Sequence, residues 1–233
     1  MNLLPTDPRA ATFSLVAALL FCTTASIAAD PLPSSRRVRG IELHGHWTKE
    51  DLVYLERTLA NLPASVVESI PSITLTPNVI GHERDLSIAG TVDDTSAITL
   101  SEDHLEEGLI HEIAHAYAIL LQNRGEPLAL LWIATAGNAY DETRFVYPAS
   151  GVLTPYGATN YAEDIAEWVR VLYTNDPDVI KPLQKKRVKA DARYAAKLDL
   201  LQRYGFLTDS QYQQWKIRLE STRPTPPSAT VRR

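Results

Sequence analysis

The sequence predicts an α+β fold, and three observations carry that prediction. Short runs rich in Ser, Thr, Ile and Leu, divided by turn residues, occupy the stretch from Ser72 to Leu100. Apolar residues recur at helical spacing through most of the chain beyond Asp103. Trimming both ends from the 233 residues leaves about 190, enough to bury a core without disulfides. The composition, 45% hydrophobic and 22% charged, is that of a globular chain of one domain or two small ones. A formal net charge of −5 supplies no cationic surface to neutralise phosphates and argues against nucleic-acid binding.

The elements follow in order. Ala11 to Ala29 is a charge-free apolar run that ends in small residues, the pattern of a signal peptide cut after Ala28 or Ala29. Residues 1–29 are therefore read as an export signal, and the product as secreted or periplasmic. The run is also nearly long enough to cross a bilayer, so an uncleaved, membrane-tethered form is the alternative. Cys22, the single cysteine, lies inside it. A cleaved product has no thiol, and any metal it holds is bound through His nitrogens and carboxylates. Residues 30–38 read as a flexible Pro, Ser and Arg-rich lead-in, 39–220 as the domain, and 221–233 as a disordered tail rich in Pro and Thr.

Within the domain, Thr48 and Asp51 open a helix with Leu52, Leu55 and Leu59 on one face. Strands are expected at Ser72–Thr76, Leu86–Thr91 and Ser96–Leu100. Asp103 and Glu106 begin a helix that ends near Gln122, where Asn123, Gly125 and Pro127 follow. After a short apolar helix, Leu128 to Ala134, come about twenty-five irregular residues, a length that is usually functional or mobile. Asn160 and Glu163 cap a helix to about Tyr173. A long basic helix is expected from about Asp178 to Tyr204, stopped by Gly205, with a last helix opened by Thr208 and Gln211.

Chemistry concentrates in His111-Glu112-Ile113-Ala114-His115, an H-E-x-x-H pattern inside the best-defined helix. Positions four apart lie one above the other, so both imidazoles can reach one ion, while Glu112 sits about 100° round the helix, able to contact a water without being a ligand. Gly108, one turn earlier, is expected to leave space beside the site. A helix with two buried, hydrogen-bonded histidines is the plainer reading of the same five residues.

A catalytic zinc needs a third protein ligand and an open position. His44 and His46 flank a glycine, His82 lies in a turn region, His104 is two turns up the helix, and no G-x-x-H continues the motif. Carboxylates remain. Glu163 and Glu167 share a helical face at i and i+4, where like charges repel mildly and call for a cationic neighbour. A zinc-histidine cluster would provide one; a solvated acidic face including Asp164 is the alternative.

The segment Leu153-Thr154-Pro155-Tyr156-Gly157-Ala158-Thr159-Asn160-Tyr161-Ala162-Glu163-Asp164-Ile165-Ala166-Glu167 resembles the one that follows H-E-x-x-H in the protease domain of anthrax lethal factor, a catalytic fold shared by the small secreted Pro-Pro endopeptidases. That family pattern is a tyrosine, six residues, a glutamate ligand, three residues and a second glutamate. Tyr156, Glu163 and Glu167 match it without a gap. Asp164 and Ile165 stand where the family often has aromatic residues.

The resemblance implies a small zincin-like domain of the gluzincin type, with a few-stranded sheet beside the H-E-x-x-H helix and a mostly helical C-terminal half. It implies that His111, His115 and Glu163 are Zn2+ ligands and that Glu112 is the general base acting on a zinc-bound water. Tyr156 would then be the hydroxyl that stabilises the oxyanion, and Glu167 an acceptor that orients a ligand histidine. It also implies that a strand beside the helix, here Ser96–Leu100, pairs with an extended substrate. The expectation is an exported, monomeric metalloendopeptidase acting on a peptide or protein, with no nucleic acid and no membrane unless the first segment is uncleaved. The alternative is a zinc-containing binding module of the same fold that cleaves nothing. The four tryptophans read as core or half-buried packing, and His44-Gly45-His46 as a group that at most binds metal adventitiously.

Overall fold

Alternating burial and a two-residue turn build the first hairpin. β1 (Arg36–Val38) and β2 (Ile41–His44) pair antiparallel with Val38 opposite Ile41. Arg39 and Gly40 between them both have positive φ, 51° and 90°, the geometry that suits the twist of a two-residue hairpin. Arg36–Val38 therefore belong to the sheet and not to the lead-in in which the sequence places them, because Val38 is buried in the core. A computed structural model describes residues 36–77, 81–83, 86–88, 90–137, 140, 151–183 and 191–220. The proposed export signal and the tail lie outside these residues.

α1 (Lys49–Ala60) starts on the expected capping box: Asp51 N–H donates to the Thr48 hydroxyl and Thr48 N–H to the Asp51 carboxylate. Leu52, Leu55 and Leu59 are buried. The short α2 (Ala64–Val67) leads into β3 (Ser72–Thr76), whose Ile73 and Leu75 point into the core. β4 (Gly81–Glu83) and β5 (Leu86–Ile88) form a separate ribbon, followed by β6 (Gly90–Val92) and β7 (Ile98–Ser101). The main sheet has the order β1-β2-β3-β7-β6, parallel across β2, β3 and β7 and antiparallel at both outer strands. Strand β7 is thus hydrogen-bonded on both sides, and β6 is the outer strand.

A 3-10 turn (Glu102–His104) delivers the chain into α3 (Leu105–Asn123). The expected cap from Asp103 is not made; neither end of that turn has a side-chain cap. α3 presents Leu105, Leu109 and Ile113 to the core and packs against β6 and β7 on one side and α5 on another. α4 (Leu128–Ala136) buries Trp132, and α5 (Tyr161–Thr174) buries Ile165, Trp168 and Val169. α6 (Pro177–Leu183) and α7 (Ala192–Arg203) stand where one long basic helix is expected. The Asp191 side chain accepts from Arg193 N–H and so starts α7 as a helix of its own. Gly205, with φ +77°, ends it, and α8 (Asp209–Glu220) opens on the Thr208–Gln211 box. The fold is α+β, sheet first and helices after, within the unit Ser34–Arg233.

Candidate metal centre

Residues 111 and 115 are one turn apart on α3, and their rings meet edge-on with centroids 4.7 Å apart. Their Nε2 atoms are 3.0 Å apart. Glu163, in the first turn of α5, brings Oε2 to 3.0 Å from His111 Nε2 and 3.3 Å from His115 Nε2. Asn160 fixes that turn, since its side chain accepts from both Ala162 and Glu163 N–H. The Glu163 side chain is therefore free of capping duty and faces the histidines.

Three donor atoms form a near-equilateral triangle, with sides of 3.0 to 3.3 Å. Four ligands held tetrahedrally at about 2.0–2.1 Å from an ion stand about 3.3–3.4 Å from one another, so the triangle fits one face of such a site. Two imidazole nitrogens and a carboxylate oxygen this close need a cation, proton or metal, between them. His111, His115 and Glu163 are thus a partly buried group that can hold a metal ion.

Glu167 Oε1 stands 3.0 Å from His111 Nδ1, an acceptor for a proton on that nitrogen, and the contact fixes the ring so that Nε2 faces Glu163. Arg170 in turn forks onto Glu167, Nε to Oε1 at 2.8 Å and Nη2 to Oε2 at 3.0 Å. Burial works against the charge on His111, but the bonds to Glu163 and Glu167 and the charge of Glu112 outweigh it and raise its pKa to about 9. Burial likewise opposes ionisation of Glu163 and Glu167. Hydrogen bonds from His111 and His115 to the former, and from His111 and Arg170 to the latter, hold both below the usual carboxylate range.

Glu112 is 7% exposed. Burial raises its pKa, against the lowering effect of His115 and His111. It lies against the backbone of β6: a Cβ built on Gly90 would stand 2.5 Å from Glu112 Oε1 and 2.6 Å from its Cγ. Tyr156, in a 3-10 turn (Tyr156–Ala158) after the long connection, is 44% exposed and tilts its ring over His111 at 5.7 Å. Burial, together with the negative charge of Glu163, raises the pKa of its hydroxyl and keeps the phenol protonated.

All six residues singled out in the sequence, His111, Glu112, His115, Tyr156, Glu163 and Glu167, thus come together. Two neighbouring expectations need correcting, and one alternative falls. Gly108 gives no space to the centre; its missing Cβ faces Leu100 Cδ2 at 3.1 Å, because that side of α3 packs on β7. Strand β7 has no free edge for a substrate, since β3 and β6 flank it. Asp164 is fully buried and paired with Lys197, so the acidic face of α5 is not solvated. His44 and His46 are exposed, and three of the four tryptophans are buried with Trp47 half-buried.

Sequence reasoning missed Gly90, Arg170 and Lys197. Arg170 had a signal, its i+3 spacing from Glu167 on one helix. Gly90 and Lys197 had none. Compared with known proteins, no family model matches the chain, and neither does any curated protein or solved structure. The functional reading rests on the site itself.

Proposed function

We propose that the protein is an exported zinc metalloendopeptidase of the gluzincin type, with a zincin-like catalytic domain. The observation that carries this reading is the convergence of three donor atoms from α3 and α5 with a buried carboxylate and a phenol beside them. Two imidazoles and one carboxylate are a donor set suited to Zn2+, and three protein ligands are the number a catalytic site uses. Bound there, the ion would polarise the scissile carbonyl and acidify a water.

The chain's own groups do the rest. Glu112, a carboxylate whose pKa burial raises, takes the proton from the attacking water and delivers it to the leaving amine. Tyr156, half-exposed and protonated, donates its hydroxyl to the carbonyl oxygen as that oxygen gains negative charge. Glu167, steadied by Arg170, keeps His111 in the tautomer that presents Nε2. The outer strand β6, with Gly90 against Glu112, offers an edge along which an extended peptide can pair.

A protein that held zinc only for stability would have no use for a half-exposed phenol and a buried base beside it. The test is Glu112→Gln. The variant is expected to bind zinc stoichiometrically and to lose peptide cleavage by several orders of magnitude, on the order of what removal of a water-activating base costs. Retained cleavage of a peptide library by the variant would end the proposal, and a wild-type protein that cleaves nothing would leave a zinc-binding module.

A further inference from the structure

Behind the centre lies a second buried polar cluster. Lys197 of α7 and Asp164 of α5 are both 0% exposed and form an ion pair. Asp164 Oδ2 also accepts from Trp132 Nε1 at 2.8 Å and from the Tyr140 hydroxyl at 2.7 Å. Its Oδ1 is buried and has no hydrogen-bond partner among the described residues. An ion pair taken fully out of water is a weak source of stability, and this one is left half satisfied. The pair is better explained by what else it touches.

Lys197 Nζ donates to the carbonyl oxygen of Gly151 at 2.8 Å, and Trp168 Nε1 donates to the same oxygen at 3.0 Å. The Tyr194 hydroxyl holds the next carbonyl, Val152, at 3.2 Å. Gly151 has φ +74°, and a Cβ there would stand 2.8 Å from Arg193 Cβ, so the backbone passes close against α7. Residues 151–154 are all buried, and Thr154 Oγ1 then accepts from Gly157 N–H at 2.9 Å, closing the turn on which Tyr156 stands. An unbroken path of hydrogen bonds and buried backbone thus runs from the residue beside Glu163, through Lys197, to the Tyr156 turn.

We propose that Lys197 and Asp164 are positioning residues, which tie the Tyr156 turn to the helix that carries Glu163 and so set the phenol over the metal centre. An apolar pair of the same volume would fill the core but would leave the Gly151 carbonyl to Trp168 alone. This proposal rests on the catalytic reading of Tyr156 given above.

The test is the full-length double variant Asp164→Asn/Lys197→Met. Asparagine keeps an acceptor for Trp132 and Tyr140, and methionine keeps the length of lysine without its donor. Amide exchange at Gly157, Ala158 and Thr159, whose N–H groups bond within the turn, is expected to quicken roughly tenfold or more while α3 is unchanged. Zinc affinity, measured by chelator competition, is expected to stay within about threefold, because its ligands sit on α3 and α5. In cleavage assays kcat is expected to fall about tenfold to a hundredfold with KM little changed. Adding Tyr156→Phe to the double variant is expected to cost far less than it does in the wild type.

Unchanged exchange in the turn, or an undiminished cost of Tyr156→Phe, would overturn the proposal. If the wild type cleaves no peptide, the peptidase reading fails on its own and the exchange data alone decide the positioning role. Should the double variant not fold, Asp164→Asn/Lys197→Gln is read in the same way. Failure of both to fold would make the pair a requirement of the core, and overturns the proposal too.

Discussion

His111 joins two carboxylates, and its charge state links the centre to stability. Its pKa rises from 6.5 to about 9 on folding without metal, so its contribution is fully present below pH 6.5 and is lost as pH rises through about 9. Glu167 falls from 4.5 to about 2, so its contribution is present above pH 4.5 and is lost as pH falls through about 2. Thermal stability of the chelator-treated protein should therefore be highest in the window between pH 4.5 and 6.5 and fall towards pH 9. With zinc on the His111 Nε2 in place of a proton, the alkaline loss should disappear. A metal-free protein equally stable at pH 6 and pH 9.5 would contradict this. Gly90 gives a second prediction at this scale. Gly90→Ala would push a methyl into Glu112 Oε1 and Cγ, displacing the proposed base but not the candidate metal group. Cleavage is expected to drop by about a hundredfold while chelator competition reports near-normal zinc affinity.

Helix α5 is the element on which the centre depends most. One face carries Glu163 and Glu167 to α3, the next carries Asp164 to α7, and Trp168 fills the core between α4 and the 151–154 segment. Its first turn holds Glu163 of the candidate metal group, so the end of the helix cannot fray without loosening the site. Asn160 prevents that by accepting two N–H groups. Asn160→Ala is expected to lower stability by about 1 kcal/mol, measured by urea unfolding, and to weaken zinc binding through a looser Glu163. Unaltered zinc affinity would show that the α3 and α5 packing alone fixes the ligand. Much at this scale was legible in advance. The α1, α5 and α8 starts were marked by local Thr–Asp, Asn–Glu and Thr–Gln spacings, and capping is a matter of neighbours within one turn. The α3 start was misread because Asp103 entered a 3-10 turn, and the long basic helix because Asp191 opens a helix of its own.

At the scale of the whole molecule, the metal would join parts of the chain about fifty residues apart. A ligand that binds only the folded chain stabilises it by mass action, by about 2.7 kcal/mol when free zinc is a hundred times the dissociation constant. The melting temperature is accordingly expected to rise with zinc concentration and to fall on chelation, as read by calorimetry. A melting curve indifferent to zinc would mean that the three donors do not act together.

Helical periodicity alone determined that His111 and His115 share a face with Glu112 beside them, because that geometry is decided within two turns of one helix. The spacing of Tyr156, Glu163 and Glu167 was equally plain in the sequence, and so was the α+β class. Only the tertiary structure decided that α5 packs on α3 so that Glu163 completes the triangle. It also decided that β6 and not β7 is the outer strand, and that Asp164 meets Lys197 thirty-three residues away. Strand order and helix contacts arise from pairing between distant segments, and no local pattern of residues encodes which distant partner an element will find.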